Sequence, residues 1–320
     1  MSAPSGDTRV IALFGPTAVG KTGVAIELAD RLRERGEDPV AVNCDSIQVY
    51  RGLEVLSGAA SPAERARLEH RLLSFVDPAE EFSAGRYAAL AHREIDSLLS
   101  EGKTPIVVGG TGLYLRAALA DLDLRPPVSD EIRREVELEI EERGAAALHA
   151  ELDPEIAELA HQNDRKRIAR LTELSRAGIE PARSAEGLWT AELRHPGLLV
   201  GLVIDRQKLA ERIDRRVDAM IRDGAAEEAR RAAESGASRT VRAALGFEQL
   251  LADHDGAPSA DSLEAVKAAH RAYARRQLTW MRRMEGVTLI DRTEAEDREV
   301  AARIIELVDE LRNNPLRSYN

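Results

Sequence analysis

Apolar residues along the chain fall into two rhythms. Short, nearly continuous runs rich in Val, Ile, Leu and Ala occupy residues 9–14, 39–45, 104–110, 198–205 and Val287–Asp291, and each reads as a strand buried on both faces. Longer stretches between them carry helical spacing. In residues 21–35, Val24, Leu28 and Leu32 lie four apart before Gly36 stops the helix, and a second helix over Ala84–Ser100 leads into the third apolar run. Strands alternating with helices predict a parallel sheet with crossover helices, an α/β fold.

The rhythm changes after Pro126-Pro127. Asp130–Arg143 is dense in Glu, Asp153-Pro154 opens another helical stretch, and no strand signal returns before Leu198. Residues 1–125 and 198–320 are therefore expected to form an α/β core domain interrupted by a helical insertion domain at 126–197. Beyond the fourth strand, long helices are expected at 206–235 and 262–285. A last one at 294–313 is read as an amphipathic cover with Ile304, Ile305, Leu307, Val308 and Leu311 inward.

At 320 residues the chain exceeds one usual compact core, which agrees with a domain plus insertion. Its charge, 45 Lys and Arg against 56 Asp and Glu, gives −11, which argues against a uniformly basic nucleic-acid coat. A local basic patch remains open: acid clusters at 130–142 and 151–158, whereas positive charge gathers at 165–170 and 271–283. Cys44 is the single cysteine, so no disulfide forms within the chain, and Cys/His zinc spacing is absent. The first eight residues lack a basic and apolar leader pattern, and no long uncharged apolar stretch follows. A cytoplasmic protein without a membrane span is expected.

One motif carries chemistry by itself. Gly15-Pro16-Thr17-Ala18-Val19-Gly20-Lys21-Thr22 fits G-x-x-x-x-G-K-[ST], with an apolar strand before it and a helix after it. Such a loop wraps phosphate oxygens in backbone N–H groups at a helix N-terminus. Lys21 is then placed on the terminal phosphates and Thr22 on a Mg²⁺ ion. The fold is thus a P-loop-type parallel sheet flanked by helices, and the motif asks for a diphosphate or triphosphate without choosing ATP. Ligands of open α/β sheets sit beyond the strands' carboxyl ends. There the second strand delivers Asp45 with Ser46, Gln48 and Tyr50, the third Gly109-Gly110-Thr111-Gly112, and the fourth Asp205-Arg206. From the residues alone Asp45 is a Mg²⁺ ligand, a general base or a turn residue. Thr111 follows a close backbone approach or caps a helix.

Several segments, in order, resemble the signature blocks of the tRNA dimethylallyltransferase family, also called tRNA isopentenyltransferases. They are the phosphate loop, Asp45-Ser46-Ile47-Gln48-Val49-Tyr50-Arg51-Gly52, Val107-Val108-Gly109-Gly110-Thr111-Gly112-Leu113-Tyr114, and Arg275-Arg276-Gln277-Leu278-Thr279-Trp280-Met281-Arg282. Asn163-Asp164-Arg165-Lys166-Arg167-Ile168 and Arg242-Ala243-Ala244-Leu245-Gly246-Phe247 are similar to two more, so the resemblance runs from about residue 9 to 291.

The resemblance implies Mg²⁺-dependent transfer of a dimethylallyl group from dimethylallyl diphosphate to N6 of the adenosine immediately 3′ of the anticodon. It makes Asp45 the general base, sets Thr111 beside the reacting atoms, and adds Arg216 to Lys21 and Thr22 at the diphosphate. The flipped adenosine is held by Asp45, Ser46, Ile47, Gln48 and Thr111. Arg133, Lys166, Arg167, Ile168, Ala169 and Arg170 of the insertion meet the anticodon stem-loop, with Arg242, Gly246 and Phe247. Arg275, Arg276, Gln277, Thr279, Trp280 and Arg282 line the RNA groove. A monomer is expected. Departures are a missing Lys in Leu56-Ser57-Gly58-Ala59-Ala60-Ser61-Pro62, Glu248 after Gly246-Phe247 where a basic residue is usual, and a loose fit over 171–190. Two other readings share the phosphate loop: an adenylate isopentenyltransferase using free nucleotide, and a small-molecule kinase using ATP. A non-enzymatic, nucleotide-dependent RNA-binding protein is a further one.

Overall fold

A computed structural model of the chain describes residues 10–182, 186–252 and 258–313. Arg9, read as the start of the first strand, lies outside them, as do residues 1–8. The described residues divide into two compact units, one reaching up to Asp121 and resuming at Trp189, the other Leu122–Leu188.

The first unit begins with β1 (Val10–Phe14), α1 (Lys21–Glu34), β2 (Pro39–Asn43), α2 (Glu54–Ser57), α3 (Pro62–Arg67), β3 (His70–Arg71), α4 (Ala84–Ser100), β4 (Thr104–Gly109) and α5 (Gly112–Leu119). The second unit holds α6 (Asp130–Arg143), α7 (Ala145–Glu151), α8 (Pro154–Ala157) and α9 (Arg165–Arg176). After α10 (Glu186–Trp189) the first unit continues with β5 (Gly197–Val203), α11 (Arg206–Arg222), α12 (Ala225–Glu234), α13 (Arg239–Arg242), α14 (Phe247–Ala252), α15 (Ala260–Arg283), β6 (Val287–Asp291) and α16 (Asp297–Asn313).

All strand pairings are parallel, in the order β3-β2-β4-β1-β5-β6. Central β1 pairs Ile11 with Ile106 on one side and with Leu198 on the other, and every residue of β1 and β2 is buried. That two-sided burial explains continuous rather than alternating apolar runs. The α/β class expected from the sequence holds. The additional strand, β3, is two residues long at the sheet edge, too short to leave a pattern.

Helix α1 is buried at Val24, Ala25, Ile26, Leu28, Ala29 and Leu32 because the sheet and α16 both cover it. α16 buries Val300, Ala301, Ile304 and Val308, with Ile305, Leu307 and Leu311 only partly covered, so its apolar face begins earlier than predicted. The helix expected over 206–235 is two: Gly224, at φ 101°, breaks it between α11 and α12. Residues 189–197, read with the helical segment, pack in the first unit, where Trp189 lies 4.7 Å from Trp280 and Arg194 N donates to the Leu119 carbonyl.

The second unit has its own small core of Val136, Ile140, Leu148 and Ile168, with Ile132, Ala145, Ala160 and Ala169 packed against it. Among the described residues no helix is long and apolar enough to cross a membrane.

Candidate active site

The phosphate loop turns between β1 and α1 through left-handed backbone at Ala18 (φ 63°) and Gly20 (φ 95°). Lys21 Nζ donates to the carbonyls of Gly15 and Pro16 at 2.9 and 3.1 Å, which folds the ammonium back over the loop. Burial, and secondarily the Arg216 guanidinium, pull its pKa down to about 8, partly opposed by Asp45.

Beyond β2, Asp45 Oδ1 accepts from the N–H groups of Ile47 and Gln48 at 3.0 and 3.4 Å. This is the turn role open to Asp45 on local grounds, and it occupies one oxygen. Oδ2 has no hydrogen-bond partner among the described residues. Thr111 stands at the N-cap of α5, yet its hydroxyl makes no cap bond. Instead Thr111 Oγ1 accepts from Ser46 N at 3.2 Å and lies 3.4 Å from the Tyr273 hydroxyl. The β2 and β4 ends are thereby joined to α15.

Gln277 makes the other connection. Its Oε1 accepts from Thr17 N at 2.8 Å and its Nε2 donates to the Gly110 carbonyl at 2.7 Å. A Cβ on Gly110 would come within 2.3 Å of that Nε2, so the approach needs glycine. At 4% exposure, Gln277 bridges the phosphate loop to the β4 end and does not belong to an open RNA groove, as the resemblance had placed it. Arg216 and Gln48 share acceptors: each donates to the carbonyls of Ser57 and Gly58, fixing the segment after α2 where the family's Lys is missing. Burial lowers the Arg216 pKa, and Asp45 opposes the shift.

Tyr273 was not singled out from the sequence. Its hydroxyl, within 3.4 Å of both Thr111 Oγ1 and the Gly110 carbonyl, is held protonated by burial and by the nearby Asp45 charge. A tyrosine in an Arg-rich helix gives no warning of this, since only the tertiary approach of α15 brings it to the strand ends.

The remaining residues sort by exposure. On α15, Arg275, Arg276, Thr279 and Arg282 are exposed, and Arg276 lies 5.4 Å over the Tyr273 ring. Arg271 is paired with Asp214 and Glu264, which neutralises it. Trp280 is half-buried against Trp189, whose ring also carries Arg283 at 4.2 Å. In the helical unit Lys166 and Arg167 are exposed, while Arg170 is turned onto Glu173 and the carbonyls of Arg125 and Pro126. Arg133 pairs with Asp130 at 3.4 Å.

Four residues that the resemblance places against RNA lie within the packing. Ile168 is fully buried in the helical core and Ala169 packs against it; Phe247 is fully buried, and Gly246 lies under Val266. Ile168→Ala is accordingly expected to destabilise the protein by about 2–4 kcal/mol, the usual cost of a core truncation, visible as a lower denaturation midpoint. Arg242, exposed, pairs at 3.0 Å with Glu248, so the acidic departure after Phe247 caps a positive charge. Asp205, expected among the ligand-facing groups, caps α11 through Gln207 N and Lys208 N.

For Mg²⁺, the first turn of α1 offers the Thr22 hydroxyl, a hard oxygen donor. No group of three His, Cys, Asp or Glu that could hold a metal ion exists among the described residues. That donor set fits a cation bound chiefly through diphosphate oxygens and water, the usual habit of Mg²⁺.

The chain is similar to known proteins along most of its length. The IPP transferase family model matches residues 48–284. A tRNA dimethylallyltransferase of Acetivibrio thermocellus is 37% identical over 299 residues, covering 91% of this chain and 94% of the relative. One from Anaeromyxobacter dehalogenans is 40% identical over 287 residues, covering 88% and 94%. Among solved structures, the tRNA isopentenylpyrophosphate transferase of Bacillus halodurans superposes with a TM-score of 0.68 at 30% identity, over 96% of this chain and 99% of that one. A eukaryotic dimethylallyltransferase acting on tRNA gives 0.74 at 25% identity, over 96% and 80%. With a phosphate loop and likeness of this extent along its length, the chain belongs to the IPP transferase family, among the tRNA dimethylallyltransferases.

Proposed function

We propose that this enzyme transfers a dimethylallyl group from dimethylallyl diphosphate to N6 of the adenosine immediately 3′ of the anticodon, releasing diphosphate. The observation that carries the reading is the convergence of two half-sites at the strand ends: a phosphate loop with Lys21 and Arg216, and Asp45 within the network of Ser46, Thr111 and Tyr273.

In the reaction, the allylic C–O bond breaks, the N6–C bond forms and one proton leaves N6. The negative charge that builds on the departing diphosphate meets the loop N–H groups, Lys21 and Arg216. The exocyclic amine of adenosine is a weak nucleophile because its lone pair is delocalised into the ring. Asp45 Oδ2 takes the N6 proton while Oδ1 stays tied to the turn. Thr111, steadied by Tyr273 and the Ser46 N–H, orients the amine. Mg²⁺, held by Thr22 and phosphate oxygens, supplies further neutralisation of the leaving group when bound.

The adenosine has to leave the anticodon-loop stack to reach this centre, which a single-stranded loop permits at modest cost. Asp45, Ser46 and Gln48 hold the flipped base. Arg275, Arg276 and Arg282 take backbone phosphates, as do Lys166 and Arg167 of the helical unit. This exposed positive charge in an acidic chain favours RNA over free AMP, which needs none of it.

Arg276→Ala is expected to weaken tRNA binding and to reduce the slope of log affinity against log salt by about one unit, as for one lost phosphate contact. Fluorescence anisotropy across a salt series checks it; an unchanged slope assigns Arg276 to the Tyr273 ring alone. The activity itself is tested by supplying labelled dimethylallyl diphosphate and unmodified tRNA and locating the label.

A further inference from the structure

The C-terminal part of the chain reaches the phosphate loop through its carbonyl groups. Arg292, which follows β6, is 5% exposed, and its Nη1 donates at 3.4 Å to the Gly20 carbonyl, which also accepts from Val24 N at 3.2 Å in the first turn of α1. It also pairs with Asp297, the first residue of α16, at 2.8 Å. From α11, Arg212 Nη1 donates to the Val19 carbonyl at 3.5 Å. Two glycines make room for this arrangement. A Cβ on Gly20 would lie 2.3 Å from Arg292 Nη1, and one on Gly23 would lie 2.0 Å from Asp297 Oδ2. The phosphate-loop motif accounts for Gly20 but ends at Thr22; at 23 a side chain would require the Asp297 carboxylate to move.

A peptide unit is planar, so fixing its carbonyl fixes the N–H on its other side. The Val19 carbonyl shares a plane with the Gly20 N–H, and the Gly20 carbonyl shares one with the Lys21 N–H. An anion-binding loop needs such N–H groups aimed at the anion before it arrives. We propose that Arg292, held by Asp297 and seconded by Arg212, is a positioning residue for diphosphate binding that, together with the Val24 N–H on the Gly20 carbonyl, holds the peptide planes presenting the Gly20 and Lys21 N–H groups. The proposal rests on the diphosphate role of the loop put forward above.

The test measures binding of inorganic pyrophosphate with Mg²⁺ by calorimetry, together with kcat and the separate KM values for dimethylallyl diphosphate and tRNA. Wild type is compared with Arg292→Ala, Arg292→Lys and Asp297→Asn. Arg292→Ala is expected to weaken pyrophosphate binding and raise the diphosphate-substrate KM by about tenfold each, with the tRNA KM within about twofold, as for a lost substrate-specific interaction. Asp297→Asn moves both values the same way by about threefold, and Arg292→Lys recovers part of the loss. If wild type binds pyrophosphate and Arg292→Ala and Asp297→Asn both match it, the positioning role is wrong. Equal rises in both KM values with a lowered melting temperature also overturn it, making Arg292 a staple of the fold. Should Arg292→Ala not fold, Asp297→Asn decides by the same criteria. Failure of wild type itself to bind pyrophosphate removes the diphosphate reading and this proposal with it, and the wild-type arm identifies that case.

Discussion

Asp45→Ala is expected to abolish prenyl transfer while leaving tRNA affinity within a few-fold. The substitution removes the proton acceptor for N6 and also the acceptor for the Ile47 and Gln48 N–H groups. Asp45→Asn separates the two effects, because the amide oxygen keeps the turn and only the carboxylate is lost. A positioned base is worth about 10²–10⁴ in rate, so kcat of the Asn variant falls within that range and that of the Ala variant falls at least as far. Single-turnover rates with saturating tRNA, beside a direct binding measurement, read the two quantities apart. Loss of tRNA binding with normal turnover of the bound fraction would contradict the base role.

Lys21→Ala is expected to lower kcat/KM for dimethylallyl diphosphate by about 10²–10³, with tRNA affinity unchanged, because a preorganised charge at the leaving group is lost. Its depressed pKa adds a pH signature. The free enzyme loses the Lys21 proton near pH 8, whereas the same lysine in the unfolded chain keeps it to about 10.5. Diphosphate favours the ammonium form, so affinity for pyrophosphate falls as pH rises above about 8. Stability of the ligand-free protein moves in the opposite direction. The cost of burying the charged lysine is present below pH 8 and is relieved between about 8 and 10.5, where the unfolded chain binds more protons than the folded one. Pyrophosphate titrations and denaturation midpoints from pH 7 to 10 should therefore diverge in wild type, and both trends should flatten in Lys21→Ala.

The parts of the fold legible in the sequence are those whose burial is two-sided and continuous. The runs at β1, β2, β4, β5 and β6 stand out because parallel strands under helices have no polar face, whereas β3 at the edge is too short for any period. The phosphate loop was readable because its chemistry is local. Asp45 and Thr111 were readable as strand-end residues, but not the bond from Ser46 N to Thr111, which turned an expected helix cap into a link between strands. Motif membership also does not tell a buried side chain from an exposed one. Ile168 directly follows exposed Arg167, and helical periodicity then carries its side chain into the core; Phe247, between Gly246 and exposed Glu248, is fully buried as well. Tyr273 and Arg292 act across 162 and 272 residues of sequence respectively, a separation at which local pattern carries no information.

Transfer to the adenosine beside the anticodon is read directly from the modified nucleosides. The protein is incubated with Mg²⁺, labelled dimethylallyl diphosphate and either unmodified tRNA or AMP, followed by digestion and mass spectrometry of the nucleosides. The account predicts N6-dimethylallyladenosine from tRNA alone, mapped to the position immediately 3′ of the anticodon, with equimolar diphosphate released. Label on AMP and none on tRNA, or phosphate transfer from added ATP without any prenylated nucleoside, would contradict it.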